Sequence, residues 1–155
     1  MTRTTAREIA IQLGFAAAAS GETPSELMDR FFEESHYATL STEDELYREF
    51  PDEVQMAYIR RLTTLMDEHR EEIDDELRRY LKGWKLERIS KTALAVLRTA
   101  LCEIQYMDDI PDAAAINEAV ELAKGYDEPD TVSFVNGVLG GFMRGETPEA
   151  GEKDD

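Results

Sequence analysis

The sequence predicts an all-α protein: a single compact domain of about seven helices with an acidic disordered tail at its C-terminus. Three observations predict it. Apolar residues recur at i, i+3, i+4 and i+7 through most of the chain. No segment shows the sustained period-two alternation of a strand. The breaks between periodic segments fall at Ser-Gly, Thr-Pro, Pro and Asp-Asp signals, which start or end helices. A chain of 155 residues lies in the single-domain range, and a domain of that size removes roughly 68–70% of its unfolded surface from water. The helical domain is placed at residues 1–144 and the tail at 145–155, where five acids and one lysine bring no large apolar side chain to dock.

Each element follows from its punctuation. Thr5 with Glu8 three residues on has the capping-box form, and Ile9, Leu13, Ala16 and Ala17 mark an apolar face up to Ser20-Gly21, so a first helix is expected over residues 5–19. Thr23-Pro24 sets a cap before a first-turn proline, and Leu27, Met28, Phe31 and Phe32 supply the stripe of a second helix ending near Ser35. Residues 36–42 read as loop, and residues 43–49 as a turn or two of helix stopped by Pro51. A longer helical pattern restarts there, carried by Val54, Tyr58, Ile59, Leu62, Leu65 and Met66, then by Ile73, Leu77, Tyr80 and Leu81. A bend near Glu71 is left open. Ile89, Leu94, Leu97, Leu101 and Ile104 make a strongly apolar helix, the expected spine of the fold. Asp108, Asp109 and Pro111 end it, Ile116, Ala119, Val120 and Ala123 form the stripe of the next helix, and residues 131–142 form the last.

Composition excludes several classes. Cys102 is the one cysteine, so no intramolecular disulfide is possible and a reducing, cytosolic setting is expected. No window approaches the roughly 18 apolar residues of a membrane span, and no signal-peptide core follows Arg3 and Arg7. Catalytic constellations are lacking. His36 and His69 stand in polar surroundings, Glu33 and His36 have metal-site spacing without a second pair, Cys102 reads as a packing residue, and no phosphate-cradling glycine loop or serine elbow is present. A non-enzymatic protein without metal or cofactor is expected. Seventeen Lys and Arg against 34 Asp and Glu give a net charge of −17, which opposes binding to phosphates. The acid is unevenly spread: residues 43–79 hold 13 acids against 6 bases, whereas residues 1–20 carry a local +1. A solvated helix face is the plain reading of that acidic run.

Two segments are more specific than core periodicity. Ala115 to Lys124 reads AINEAVELAK and Phe134 to Leu139 reads FVNGVL, with Asn117, Asn136 and Gly137 set into apolar helices. Upstream, Arg88 to Glu103 reads RISKTALAVLRTALCE, Asp108 to Pro111 reads DDIP, and Ala6-Arg7-Glu8 with Ala10 and Gln12 opens the first helix. Together these segments closely resemble the transcription antitermination factor NusB family, small all-helical proteins that bind RNA. About half the chain carries the resemblance. It implies a non-enzymatic adaptor that needs no cofactor, pairs with the ribosomal protein acting as NusE, binds the boxA element of nascent ribosomal RNA leaders, and acts indirectly on the RNA polymerase elongation complex. Two alternatives stand beside it. One is a module that sequesters the ribosomal protein without significant RNA binding, and the other is the RNA-binding domain type of rRNA cytosine methyltransferases.

Candidate residues follow from both lines of argument. Arginine grips phosphate with a planar fork, and a mobile N-terminal arm follows a flexible strand, so Arg3 and Arg7 are candidate RNA contacts. The resemblance implies the same use, although Thr4 and Thr5 stand where relatives pair basic residues. It also implies an RNA surface at Asp130 and Phe134, the second an aromatic ring able to stack an unpaired base. Their plain reading is a helix cap and a core ring. Glu87, Arg88 and Lys91 are the candidate contacts to the protein partner, because the resemblance implies a partner face in the central-helix region. Asn117 and Asn136 are read as structural amides that fix how the last two helices dock, since a buried unpaired amide costs roughly 1–3 kcal/mol.

Overall fold

The computed structural model describes residues 1–81, 83–126 and 129–145, and all of the tail expected at 145–155 except Gly145 lies outside them. The described residues form eight α-helices and two 3-10 turns and include no strand. The backbone clusters into two compact units, residues 1–68 and residues 69 onward.

In the first unit, α1 (Arg3–Ser20) packs against α2 (Pro24–Phe31) and α4 (Glu53–Glu68). Ile9, Leu13 and Ala17, at four-residue spacing, are fully buried along α1, as are Ile59 and Leu62 on α4. Two boundaries differ from expectation. The cap of α1 is Thr2, whose hydroxyl accepts the Thr5 N–H at 3.0 Å, so the helix starts a turn earlier than the Thr5–Glu8 pattern suggests. The second helix ends at Phe31, and the carboxylate of Glu33 then accepts the N–H groups of Ser35 and His36, both at 3.1 Å. That cap opens α3 (Glu34–Ser41), where a loop is expected, because a terminus with satisfied donors can start anew within two residues. Thr23 before Pro24 caps α2 as expected, and Gly21 (φ 79°) closes α1 in the left-handed region. A 3-10 turn over Glu45–Tyr47 fills residues 43–49. Around it Phe31, Phe32, Tyr37, Tyr47 and Phe50 pack edge-on or stacked at 5.0–6.5 Å.

In the second unit, α6 (Lys91–Tyr106) is the spine, as its composition predicts. It packs against α5 (Arg70–Arg78), α7 (Asp112–Lys124) and α8 (Pro129–Arg144), and its residues Ala93, Val96, Leu97, Ala100, Leu101 and Cys102 are buried. Ser90 caps it by accepting the Ala93 N–H at 3.1 Å. Arg98 ties it to α5 through a two-point pair with Asp74, both bonds 2.8 Å. The break left open near Glu71 falls at His69, whose ring stacks on Tyr106 with centroids 3.9 Å apart. On α7 the buried stripe is Ala115, Ala119, Leu122 and Ala123, rotated from the expected one, while α8 buries Val135, Val138 and Leu139.

Candidate nucleic-acid interface

Arg3 and Arg7 sit on α1 one turn apart, and both face Tyr58 of α4. The Arg3 guanidinium stands 4.1 Å from the ring centroid and its Nε donates to Gln55 Oε1 at 2.7 Å, while Arg7 lies 5.6 Å from the same centroid. Arg3 is half-buried and Arg7 is 3% exposed. The mobile-arm reading is therefore corrected. The segment is helical from residue 3 because Thr2 caps it, and Arg7 is held inside, with only Arg3 partly open to a phosphate. The surroundings are acidic. The N-terminal ammonium donates to Glu49 at 3.2 Å and lies 3.7 Å from Asp52, and Glu45 and Glu49 line the cleft beside Thr2 and Thr5. Burial, then the neighbouring Asp44, raises the Glu8 carboxyl above its ordinary range.

Asp130 and Phe134 come together on α8. Asp130 is exposed and is the second residue of the helix, inside its first turn and not at the cap position. A carboxylate there is stabilised by the helix dipole. Phe134 is half-buried, and its ring meets Trp84 edge to face, centroids 5.9 Å apart at 72°. Trp84 escaped the sequence reasoning. The signal that marks it is its place after a glycine within residues 78–91, which carry six bases and one acid.

The structure corrects the reading of the two asparagines. Asn117 and Asn136 are both exposed, because α7 and α8 turn their alanine, valine and leucine faces inward and leave these amides outside. They are not buried groups whose loss would leave neighbours unpaired. Glu87 and Arg88 are exposed on the second 3-10 turn (Leu86–Arg88), and Lys91, also exposed, opens α6. Cys102 is fully buried and His36 is exposed. Among the described residues no three His, Cys, Asp or Glu side chains gather as a metal site, and no helix is long and apolar enough to cross a membrane.

Comparison with known proteins bears on what this arrangement serves. The model of the NusB family matches residues 4–144. A transcription antitermination protein NusB of Thermoanaerobacter sp. (strain X514) is 38% identical over 155 residues, covering 100% of this chain and 99% of the relative. The solved structure of T. maritima NusB superposes with a TM-score of 0.76 at 26% identity, covering 97% of this chain and 96% of the other. A chain from the crystal structure of antitermination factors NusB and NusE in complex with dsRNA superposes with a TM-score of 0.73, covering 92% of this chain and 96% of that one; at 22% identity this likeness speaks to the fold. The helical order, the AINEA and FVNG segments placed on α7 and α8, and a match running nearly end to end make one conclusion: this chain belongs to the NusB family.

Proposed function

We propose that this chain is a non-enzymatic transcription antitermination factor that pairs with the ribosomal protein acting as NusE, binds boxA RNA of nascent rRNA leaders, and acts through that complex on elongating RNA polymerase in the cytoplasm. The observation that carries the reading is the end-to-end match to a relative named a transcription antitermination protein, which this chain covers to 99% of its length. That relative has no room for a catalytic domain of the methyltransferase kind. The fold shared with a chain solved with NusE and dsRNA supports the same reading. RNA contact is assigned to Arg3, Asp130 and Phe134. Arg7 serves by holding Arg3 and Tyr58 in place. The exposed acids Glu71 and Glu72 of α5, and Glu87 on the second 3-10 turn, are each assigned to a basic protein partner, since opposite charge speeds and orients association. Arg88 and Lys91 suit phosphate better than a basic partner.

A second reading, sequestration of the ribosomal protein without RNA binding, is favoured by one observation: the net charge of −17 together with a buried Arg7 leaves little cation at the first helix. Gel shifts of labelled boxA RNA with and without the ribosomal protein separate the two. The antitermination reading expects weak binding by the chain alone and a tighter ternary complex with partner. A tight protein pair that never retains RNA would establish the sequestering module.

A further inference from the structure

Trp84 is the single tryptophan of the chain, and it stands 57% exposed. Its backbone is anchored, because Leu81 and Leu86 on either side are buried and its N–H donates to the Leu81 carbonyl at 3.0 Å. Gly83, at φ +89°, supplies the left-handed step that turns the chain after α5. The ring thus stays in water on a fixed support, although burying it would be strongly favourable. Phe134 meets it edge to face and leaves much of the indole open.

Two independent features surround the pair. Six of the chain's 17 Lys and Arg fall within residues 78–91 against the lone acid Glu87, a local +5 in a chain of net −17. Arg78 and Arg79 pair with Asp75 and Glu76 on α5, whereas Lys85, Arg88 and Lys91 extend as exposed cations at three-residue intervals. Lys85 caps the 3-10 turn and Arg88 is its last residue, so the two cations stand at the ends of one short turn. The second feature is Gly137, three residues beyond Phe134 on the same face of α8. It is exposed, and no atom of the described residues lies within 4 Å of the position a Cβ would take. Packing within its surroundings gives no reason for glycine in mid-helix, where alanine is the more stable residue. Close approach of another molecule to the helix backbone does.

We propose that Trp84, backed by Phe134, is the base-stacking residue of a single-stranded RNA subsite, in which Lys85, Arg88 and Lys91 hold the phosphates and Gly137 lets the strand pass close to α8. The inference rests on the RNA-binding reading above and adds to its Asp130 and Phe134 contacts a stacking site at Trp84. Stacking on an exposed indole accepts any base, and a line of cations tracks the backbone of a flexible strand. A basic protein is the poorer occupant, since those cations would repel it.

The sole tryptophan makes the test direct. Single-stranded boxA RNA is titrated into the full chain with the ribosomal protein present, following RNA polarisation and Trp84 fluorescence together. Both signals are expected to move with one midpoint. Trp84→Ala should weaken RNA binding roughly 5- to 150-fold, with Trp84→Phe recovering part of it. The triple change Lys85→Gln, Arg88→Gln and Lys91→Gln should make the slope of log affinity against log salt shallower by about 2. Gly137→Ala should raise the melting temperature by about 2–4 °C and yet weaken RNA binding, a combination that a purely structural glycine would not give. Polarisation that rises while Trp84 fluorescence stays constant and Trp84→Ala binds normally would overturn the subsite and leave the RNA reading intact. Trp84 fluorescence that responds to the ribosomal protein and not to RNA would overturn it in favour of a protein contact. Absence of RNA binding by any probe would remove both readings together.

Discussion

Arg3 and Arg7 share the Tyr58 ring, and depth alone separates what they can do. Arg7 is 3% exposed, so its methylenes and guanidinium act as packing against Tyr58, whereas Arg3 keeps an open side. Arg7→Ala is expected to lower stability by about 1–2 kcal/mol in urea melts, from lost packing and lost cation–π attraction. Arg3→Ala should instead weaken RNA binding with little change in melting. Equal loss of stability in both variants would contradict the assignment. A second residue sets a pH limit. The Tyr37 hydroxyl donates to the Glu49 carbonyl at 2.9 Å, and burial, then Tyr47 and Glu49, push its pKa up to about 12. A tyrosine ionises near 10 when unfolded, so the folded state favours the neutral ring. The resulting stability is complete below about pH 10 and is lost as pH rises toward about 12. Alkaline unfolding should therefore steepen through that window, and Tyr37→Phe should flatten it while costing about 1 kcal/mol at neutral pH for the lost hydrogen bond.

At the scale of elements, caps decide where the helices of the first unit begin. Three hydroxyl or carboxyl side chains, on Thr2, Thr23 and Glu33, accept the first free N–H groups of α1, α2 and α3. The Glu33 carboxyl lies below its ordinary range through its bonds to Ser35 and His36. Thr2→Ala should cost about 1 kcal/mol, and Thr5→Ala distinctly less, because the Thr5 hydroxyl only receives a bond from Thr2. Thermal melts of the two variants check this, and a larger loss for Thr5→Ala would return the cap to Thr5. Hydrogen exchange in the Thr2→Ala chain should rise first at residues 3–6, the turn that carries Arg3.

Charge acts on the molecule as a whole. A chain at −17 repels itself in every compact state, and salt shortens the range of that repulsion from about 30 Å at 0.01 M to about 3 Å at 1 M. The melting temperature should therefore climb with sodium chloride across that range, while RNA binding falls over the same range because counterion release is lost. A melting temperature that drops as salt is added would mean that ion pairs such as Arg98–Asp74 outweigh the self-repulsion.

Helix class, most helix breaks and the family were legible because they rest on local rules. Apolar period, Thr23-Pro24, Gly21, Pro51 and the AINEA and FVNG segments act through neighbours a few residues away. The errors also have a local form: Thr5 was an equally good cap on paper, and the Glu33 cap that restarts a helix within two residues has no strong pattern. Depth was not legible. Whether Arg7 lies in and Asn117 and Asn136 lie out depends on which face each helix turns toward partners distant in sequence, such as Tyr58 for Arg7. The same holds for Trp84 and Phe134, fifty residues apart, whose meeting follows from how α5, α6 and α8 pack. Sequence by itself determined that the chain is helical and of the NusB family. Tertiary structure alone decided which of its polar and aromatic residues face solvent, because burial is a property of the assembled faces and not of any one of them.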